Sequence, residues 1–564
     1  MQSRHAVKSP AGKDMTSLAH NLFLWRALAA LVSGLMLSCS FPPLNWSIMA
    51  WFALVPVMLM PTPRRTIERF AIGFLLGYAH FATALHWLNE VGFCAGYMLA
   101  FYCAAFPMAW YCIISAFNWR LKNKPNADWP GAGPIFIADE WTLVLHIMAQ
   151  AALWVSLEFL RSMLFTGFPW DMVGISQFRR LAVAGLAQYT GVYGVSFIVI
   201  LSNSIIAAEL SRQLRMFLAP GKRQFPWHFA LMTLALVPIC ILQARSELLP
   251  PEGTPTIRIA SVQGNIPQCR NWTEEQYEHA LATYLRLSER ATSEYQNLDM
   301  LLWPECAVPV PLGYPPYKAA LLGLQQKIRK PILLGALRIV GDPSKPEDAH
   351  DFNSAILLDE NSHAVETYNK MHLVPFGEFT PAGDMFPILR DIIGMGRDLT
   401  PGRDSVIFNL DKGAKAGVNI CFEDAFPDIS RRFTQKGANI LMTITNDSWY
   451  NRSSGAEQHL SHAVFRAIEN RRPLLRSGNN SHTCLITPNG AMLGIIDNKD
   501  DGSPFVSSFQ AYDVPVHEWG TTFYTRHGDI FAISCTAAAL GLMAYLIASE
   551  FHRHKENLKK RKKA

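Results

Sequence analysis

From about residue 20 to residue 244 the chain runs in long apolar stretches divided by short polar loops. From about Thr254 to Pro515 the apolar runs shorten to strand length and alternate with amphipathic stretches. The first pattern predicts membrane-spanning helices. The candidates are Leu22–Leu37, Trp46–Met60, Phe70–Leu88, Ala95–Phe117, Leu143–Leu160, Leu181–Ala208 and His228–Leu242, with Ile530–Ala548 as a last span. A span needs about 20 residues at ~1.5 Å rise to cross ~30 Å of hydrocarbon. The second and seventh candidates are short for this, and each contains a proline.

The second pattern predicts a water-soluble α/β unit. "TIRIASVQGNIP" is a strand running into a Gly/Asn/Pro loop, and Thr273 with Gln276 forms a capping box for the next helix. "MLLWPE" reads as a buried strand, "YKAALLGLQQKI" as a helix, and "PILLGALRIV", "NSAILLD", "HAVETY" and "SVIFNL" as strands. "AGVNICFE" and "NILMTIT" continue the strands, a helix spans about Ile429 to Lys436, and "EQHLSHAVFRAIEN" is another helix before the pair in "TCLITPNGAMLGII". The organisation expected is a membrane domain over 1–250, a catalytic domain over 251–515, and a C-terminal span with a basic tail over 516–564.

Charge sharpens the topology. The 564 residues carry 51 Lys and Arg against 45 Asp and Glu, and the net +6 is concentrated in residues 551–564. That tail directly follows an apolar run, which favours a cytoplasmic anchor on anionic headgroups over nucleic-acid binding. Basic residues also gather before the first span and after the second, fourth and sixth, as short cytoplasmic loops require. The fifth loop, with Arg161, Arg179 and Arg180, breaks the alternation and reads as a folded loop. Seven spans then place residues 251–515 outside the cytoplasm.

The ten cysteines form no CxxC pair and no histidine lies in HExxH, so neither a metal nor a cofactor is expected. "GMGRDL" breaks the dinucleotide fingerprint. Three polar residues instead end apolar strands: Glu305 after "LLWP", Lys370 after "ETYN" and Cys421 after "GVNI". A thiol is mostly protonated at neutral pH, so nucleophilic use needs a cation to favour the thiolate or a base to take its proton. Lys370 can supply the first and Glu305 the second. Lys370 and the backbone N–H of Phe422 can hold an oxyanion. Each residue alone also has an ordinary reading, as core thiol, solvated acid or surface lysine.

Together with "VQGNIPQ" and Trp272, "WPE", "YNKMHLVPFGEFTP", "CFEDAFPD", "NDSWY", "RPLLRSGNNS" and "FTGFPW", these residues make the chain resemble the apolipoprotein N-acyltransferases, nitrilase-superfamily enzymes fused to a membrane domain. The resemblance implies a multi-span α-helical domain joined to an αββα sandwich, and a catalytic triad at Glu305, Lys370 and Cys421. Glu378 and Glu423 correspond to essential acids, for which structural ion pairs are the competing reading. Trp272 corresponds to an aromatic involved with substrate, with packing as its alternative. Trp449 and Tyr450 would line the pocket mouth or simply anchor at the bilayer surface. Phe422 stands where the family often has Tyr, and Cys306 beside Glu305 is unusual.

The implied reaction takes an acyl chain from a membrane phospholipid onto Cys421 and passes it to the α-amine of a diacylglyceryl-apolipoprotein. It would occur at the periplasmic face of the bacterial inner membrane, with the tail in the cytoplasm. Two other classes stay open: a membrane-tethered amidase or nitrile hydrolase using the same triad with water, and a non-enzymatic transport or assembly protein.

Overall fold

The computed structural model describes residues 11–122, 140–218, 250–269, 272–308, 310–342, 349–383, 385–386, 388, 390 and 397–563. They form two compact units. The first holds the described residues of Met1–Arg161, Ser196–Leu236 and Ala532–Ala564, and the second those of Ser162–Val195 and Val237–Phe531.

The first unit is helical. Its long helices are α1 (Ala11–Ser38), α2 (Thr66–Ala84), α3 (Ala95–Lys122), α4 (Glu140–Arg161), most of α5 (Val192–Leu218) and a C-terminal helix (Ile530–Lys563). Among the described residues, five segments are long and apolar enough to cross a membrane: Asn21–Ser38, Ala95–Asn118, Leu143–Arg161, Val192–Leu214 and Ile530–Ser549. The expected span at Trp46–Met60 is instead a 3₁₀ turn, Ser47–Trp51, followed by the five-residue helix Val55–Leu59, with Pro56 in its first turn. Asn203 of α5 caps this break: its Oδ1 accepts from the Leu54 N–H at 2.8 Å and its Nδ2 donates to the Ala50 carbonyl at 2.7 Å. In a bilayer such backbone groups have no water to turn to, so a protein partner is required. The expected span Phe70–Leu88 falls on α2, which ends at Ala84 before a 3₁₀ turn at His86–Asn89 and is not one of those five segments, and His228–Leu242 lies outside the described residues.

The expected sixth span begins later than Leu181. Residues 181–190 form two single-turn helices, Leu181–Ala184 and Ala187–Thr190, and the long helix starts at Val192 after Gly191, whose φ of +64° breaks the run. The irregular fifth loop is thus a folded segment of the second unit, as its charges suggested.

The second unit is built on two six-stranded sheets. The strands are β1 (Thr256–Gln263), β2 (Met300–Leu302), β3 (Ile332–Val340), β4 (His350–Leu358), β5 (Ala364–Asn369), β6 (Ile407–Asn409), β7 (Lys415–Ile420), β8 (Ile440–Thr445), β9 (Leu474–Gly478), β10 (Cys484–Ile486), β11 (Met492–Leu493) and β12 (Ser508–Pro515). One sheet has the order β12-β1-β2-β3-β4-β5 and the other β11-β10-β9-β8-β7-β6. In each, three central strands are parallel, β1-β2-β3 and β7-β8-β9.

The sheets face each other through β1 and β9 and through β4 and β7. Helices α6 (Glu274–Glu294) and α7 (Pro315–Ile328) cover the first sheet, and α8 (Pro427–Gln435) and α9 (Gly455–Asn470) the second, giving the expected αββα sandwich. Central strands are buried on both faces, which is why β8 reads "ILMTIT" without alternation. The capping box at the start of α6 forms as expected, with the Thr273 hydroxyl accepting from the Gln276 N–H and the Gln276 side chain accepting from the Thr273 N–H. β12 was not anticipated. It is an edge strand pairing antiparallel with β1, and its partial burial hides the two-residue period.

Candidate active site

Glu305 follows β2, Lys370 follows β5 and Cys421 follows β7, so all three lie at strand ends of the sandwich. The side chains of Glu305 and Lys370 are 9% and 1% exposed, and Cys421 is buried. The Lys370 ammonium sits between two carboxylates, 2.9 Å from Glu378 Oε1 and 3.5 Å from Glu305 Oε1. Burial alone would lower the lysine pKa, but Glu378, Glu305 and Cys421 outweigh it and hold the group charged. Glu305 also accepts from the Asn446 backbone N–H at 3.0 Å.

Asn353 of β4 ties the acids together: its Nδ2 donates to Glu305 at 2.7 Å and to Glu378 at 2.9 Å. One amide nitrogen has two hydrogens, so both bonds can exist at once. The Cys306 thiol, at 3.9 Å, donates to the Asn353 carbonyl oxygen. Burial, then Glu305 and Glu378, push the Cys306 thiol up, which keeps it a protonated donor to Asn353.

Cys421 opens a short 3₁₀ turn, Cys421–Ala425, that joins β7 to α8, and its φ is +52°. A non-glycine residue is strained there and must be held by its surroundings. Two residues of α9 do this. His459 Nε2 donates to the Cys421 carbonyl at 3.1 Å, and Arg466 donates to the Asp424 and Ala425 carbonyls at 3.1 and 3.2 Å. Glu423 closes the base of the turn. Its carboxylate accepts from the Ile420 N–H at 2.8 Å, the Tyr368 hydroxyl at 2.7 Å and the Met371 and His372 N–H groups at 2.7 and 3.1 Å. It fastens the Cys421–Ala425 turn to the segment after Lys370, and burial pushes its pKa up to about 7 despite these donors. Of the two readings given for the acids, Glu378 contacts the lysine directly while Glu423 positions backbone.

Burial is the main cause that holds the Cys421 thiol above its ordinary pKa, and Glu305 adds to it against the opposing effect of Lys370. At neutral pH that direction favours the protonated thiol over the thiolate.

Beside Cys421 lies a fully buried ionic group. His459 Nδ1 is 2.8 Å from Asp447 and its Nε2 is 2.9 Å from Asp424, while Arg476 reaches Asp424 at 2.9 Å and Asp447 at 3.0 Å. Cys421, Asp447 and His459 bring one ligand atom each within 4.8 Å of one another. Both imidazole nitrogens and both Asp447 oxygens are already engaged internally, so this donor set is poorly suited to a metal. Asn353, Thr445, Asp447, His459 and Arg476 were not singled out from sequence. For Thr445 and Asp447 the available signal was the run of polar residues at the end of the otherwise apolar β8; Asn353, His459 and Arg476 lie on β4, α9 and β9 with no such mark.

The aromatic candidates divide. Phe422 lies in a cluster with Trp170, Phe426, Phe168 and His372, at ring separations of 6.0, 5.1, 6.5 and 5.9 Å. Trp170 is buried in the second unit, donates to Gln458 at 2.9 Å and stacks on Phe422, so "FTGFPW" packs against the Cys421–Ala425 turn. Tyr450 is half-buried with its ring 6.3 Å from that of His459, and burial foremost pushes its phenol up. Trp449 is 42% exposed, and Trp272 packs partly buried against the core under α6.

The chain is similar in sequence to known proteins. Residues 33–205 match the family described as apolipoprotein N-acyltransferase N-terminal domain, and residues 258–506 match carbon-nitrogen hydrolase. An apolipoprotein N-acyltransferase of Geobacter metallireducens is 32% identical over 517 residues, covering 91% of this chain and 93% of that protein. One from Rickettsia bellii is 29% identical over 435 residues, covering 76% and 81%. A solved nitrilase-superfamily structure from Saccharomyces cerevisiae is 18% identical with a TM-score of 0.34, covering 46% of this chain and 90% of that one.

Proposed function

The chain belongs to the apolipoprotein N-acyltransferases, a family of membrane enzymes, and from that premise we propose how its residues carry out lipoprotein N-acylation. The observation that carries the mechanism is the buried Lys370 ammonium held between Glu305 and Glu378, with Cys421 on a strained turn beside it.

Glu305 takes the thiol proton as the sulfur attacks the ester carbonyl of a membrane phospholipid. Lys370 and the Phe422 N–H hold the oxyanion. Collapse expels the lysophospholipid alkoxide, which takes the proton back from Glu305 and leaves an acyl thioester. The α-amine of the diacylglyceryl cysteine then attacks the thioester and gives up a proton through Glu305. The sulfur departs and is reprotonated, and an amide is formed. Two bulky lipids thus use one pocket in turn, and burial limits loss of the thioester to water. Trp449 and Tyr450 line the entrance, and Trp272 acts by packing. In functional terms 1–250 is the membrane domain, 251–515 the catalytic domain and 516–564 the anchor, with residues 162–195 serving the catalytic unit.

The purified protein given phospholipid without acceptor is expected to gain one acyl group on Cys421, seen by intact mass and released by neutral hydroxylamine. A diacylglyceryl-cysteine peptide with a free amine should discharge it, and an N-acetylated peptide should not. Release to water at the same rate without peptide would make the protein a hydrolase, and failure to acquire the group would leave a binding protein.

Placement is a separate expectation. One apolar helix separates the catalytic unit from the basic tail, so reporters fused after Pro251 and at Ala564 should report opposite faces, periplasmic and cytoplasmic. Reporters on one face would refute it.

A further inference from the structure

Parallel β7 and β8 pair Ile420 with Ile444, so the next residue of each, Cys421 and Thr445, emerge side by side at the strand ends. The Thr445 hydroxyl donates to Asp447 Oδ1 at 2.8 Å, and the Cys421 sulfur lies within 4.8 Å of an Asp447 oxygen and of a His459 ring nitrogen, so the hydroxyl sits beside the sulfur and acts to lower the thiol's pKa. We propose that Thr445 is a catalytic residue: its hydroxyl donates to Asp447 in the resting enzyme and turns to the Cys421 sulfur as the thiolate forms. This deepens the reading of Cys421 as nucleophile and rests on it.

A hydroxyl has one hydrogen and two lone pairs, so it can donate to only one of its neighbours at a time. While the thiol keeps its proton, sulfur is a weak acceptor and the carboxylate wins. When that proton passes to Glu305 the sulfur becomes an anion, and a hydrogen bond to a charged acceptor is the stronger kind. The O–H bond of Thr445 never breaks; it only reorients.

Asp447 can release the hydroxyl because it is over-supplied. It keeps His459 at 2.8 Å on Oδ1, with Arg476 at 3.0 Å and the Ser481 hydroxyl on Oδ2. His459 and Arg476 also balance the charges of Asp424 and Asp447, which keeps Asp447 ionised. Thr445, Asp447, His459 and Arg476 are all buried, so no water competes for the donor. The charged and titratable groups around the sulfur are Glu305 after β2, Lys370 after β5, Asp447 and Tyr450 after β8, His459 of α9 and Arg476 of β9. Among these neighbours Thr445 supplies a donor without adding charge.

The test uses the full-length protein in detergent. The pH dependence of Cys421 alkylation by iodoacetamide is read by peptide mass, beside the initial rate of acyl-thioester formation from phospholipid. Thr445→Val, close to Thr in shape, is expected to move the alkylation midpoint up by about one pH unit and slow acylation about tenfold. Thr445→Ala, which cannot strain the site, should give the same shift if the valine variant folds poorly. Thr445→Ser should restore both quantities most of the way. An unchanged midpoint and rate in the alanine variant would overturn the proposal, as would a serine variant as impaired as alanine, since packing would then be the cause. If Cys421→Ala is inactive while the Thr445 variants behave as wild type, only Thr445 loses its role. If Cys421→Ala still acylates, the reading of the nucleophile fails.

Discussion

Cys421→Ala protein is expected to fold normally and to take up no acyl group. The substitution removes one sulfur from a buried position while the Cys421 carbonyl keeps its bond from His459 and the turn keeps Arg466 and Glu423. The strained φ of +52° is tolerated by alanine about as well as by cysteine, so stability should change little. Glu305→Gln and Lys370→Met are expected to be folded and slow. Loss of a general base alone costs about 10² to 10⁴ in rate, and here the thiol is protonated at rest, so no pre-formed thiolate bypasses the base. Intact mass after incubation with phospholipid reads all three, and Cys306→Ala should still be acylated. Acylated Cys421→Ala protein, with Cys306→Ala protein unmodified, would move the nucleophile to the other thiol.

Arg476→Met is expected to be among the most destabilising single changes in the catalytic unit, by about 3 to 5 kcal/mol, because it leaves a buried carboxylate without compensation. Arg476 bridges Asp424 and Asp447 with its side chain wholly inaccessible. Denaturant midpoints in detergent should show the loss, and combining the change with Asp424→Asn should recover part of it by restoring neutrality. A loss below about 1 kcal/mol, the size of a surface ion pair, would mean that the ions are not isolated from water as the structure has them.

The same group predicts a pH dependence. Burial would depress His459, but Asp424 and Asp447 outweigh it and raise its pKa to about 9. Its contribution is complete below the ordinary histidine pKa near ~6.5 and is lost as pH rises through the folded value, so stability should decline on the alkaline side of neutrality.

The sandwich was legible because its strands and helices differ sharply in period and its α6 cap is local chemistry. The strand-end positions of Glu305, Lys370 and Cys421 were legible in the apolar runs before them, while their grouping as a triad came from the family resemblance. The partners that organise them were not. Asn353 lies inside an ordinary strand, and His459 and Arg466 lie on an amphipathic helix whose spacing says only that one face is buried. Their roles depend on β4, β8 and α9 meeting at one place, and such long-range meetings leave no trace in local spacing. Span boundaries failed where composition and backbone diverge. Trp46–Met60 is apolar enough to read as continuous, yet its first and last thirds are separate short turns held by a distant asparagine.

The catalytic unit is discontinuous along the chain, and this has a consequence for how the protein is made. Residues 162–195 contribute Trp170, which donates to Gln458, and Arg179, which pairs with Glu457; Gln188 accepts from Arg471, and the Val192 N–H is capped by Glu469. All four partners lie in or just after α9, almost three hundred residues later. A ribosome therefore delivers one half of this docking surface long before the other, and the early half must wait with Trp170 uncovered. By the same reasoning, a gene fragment encoding only 251–515 would yield a polypeptide with a bared aromatic face around Phe422 and His462. Such a fragment should aggregate, whereas one in which 162–195 is supplied as a separate peptide should be rescued into solution.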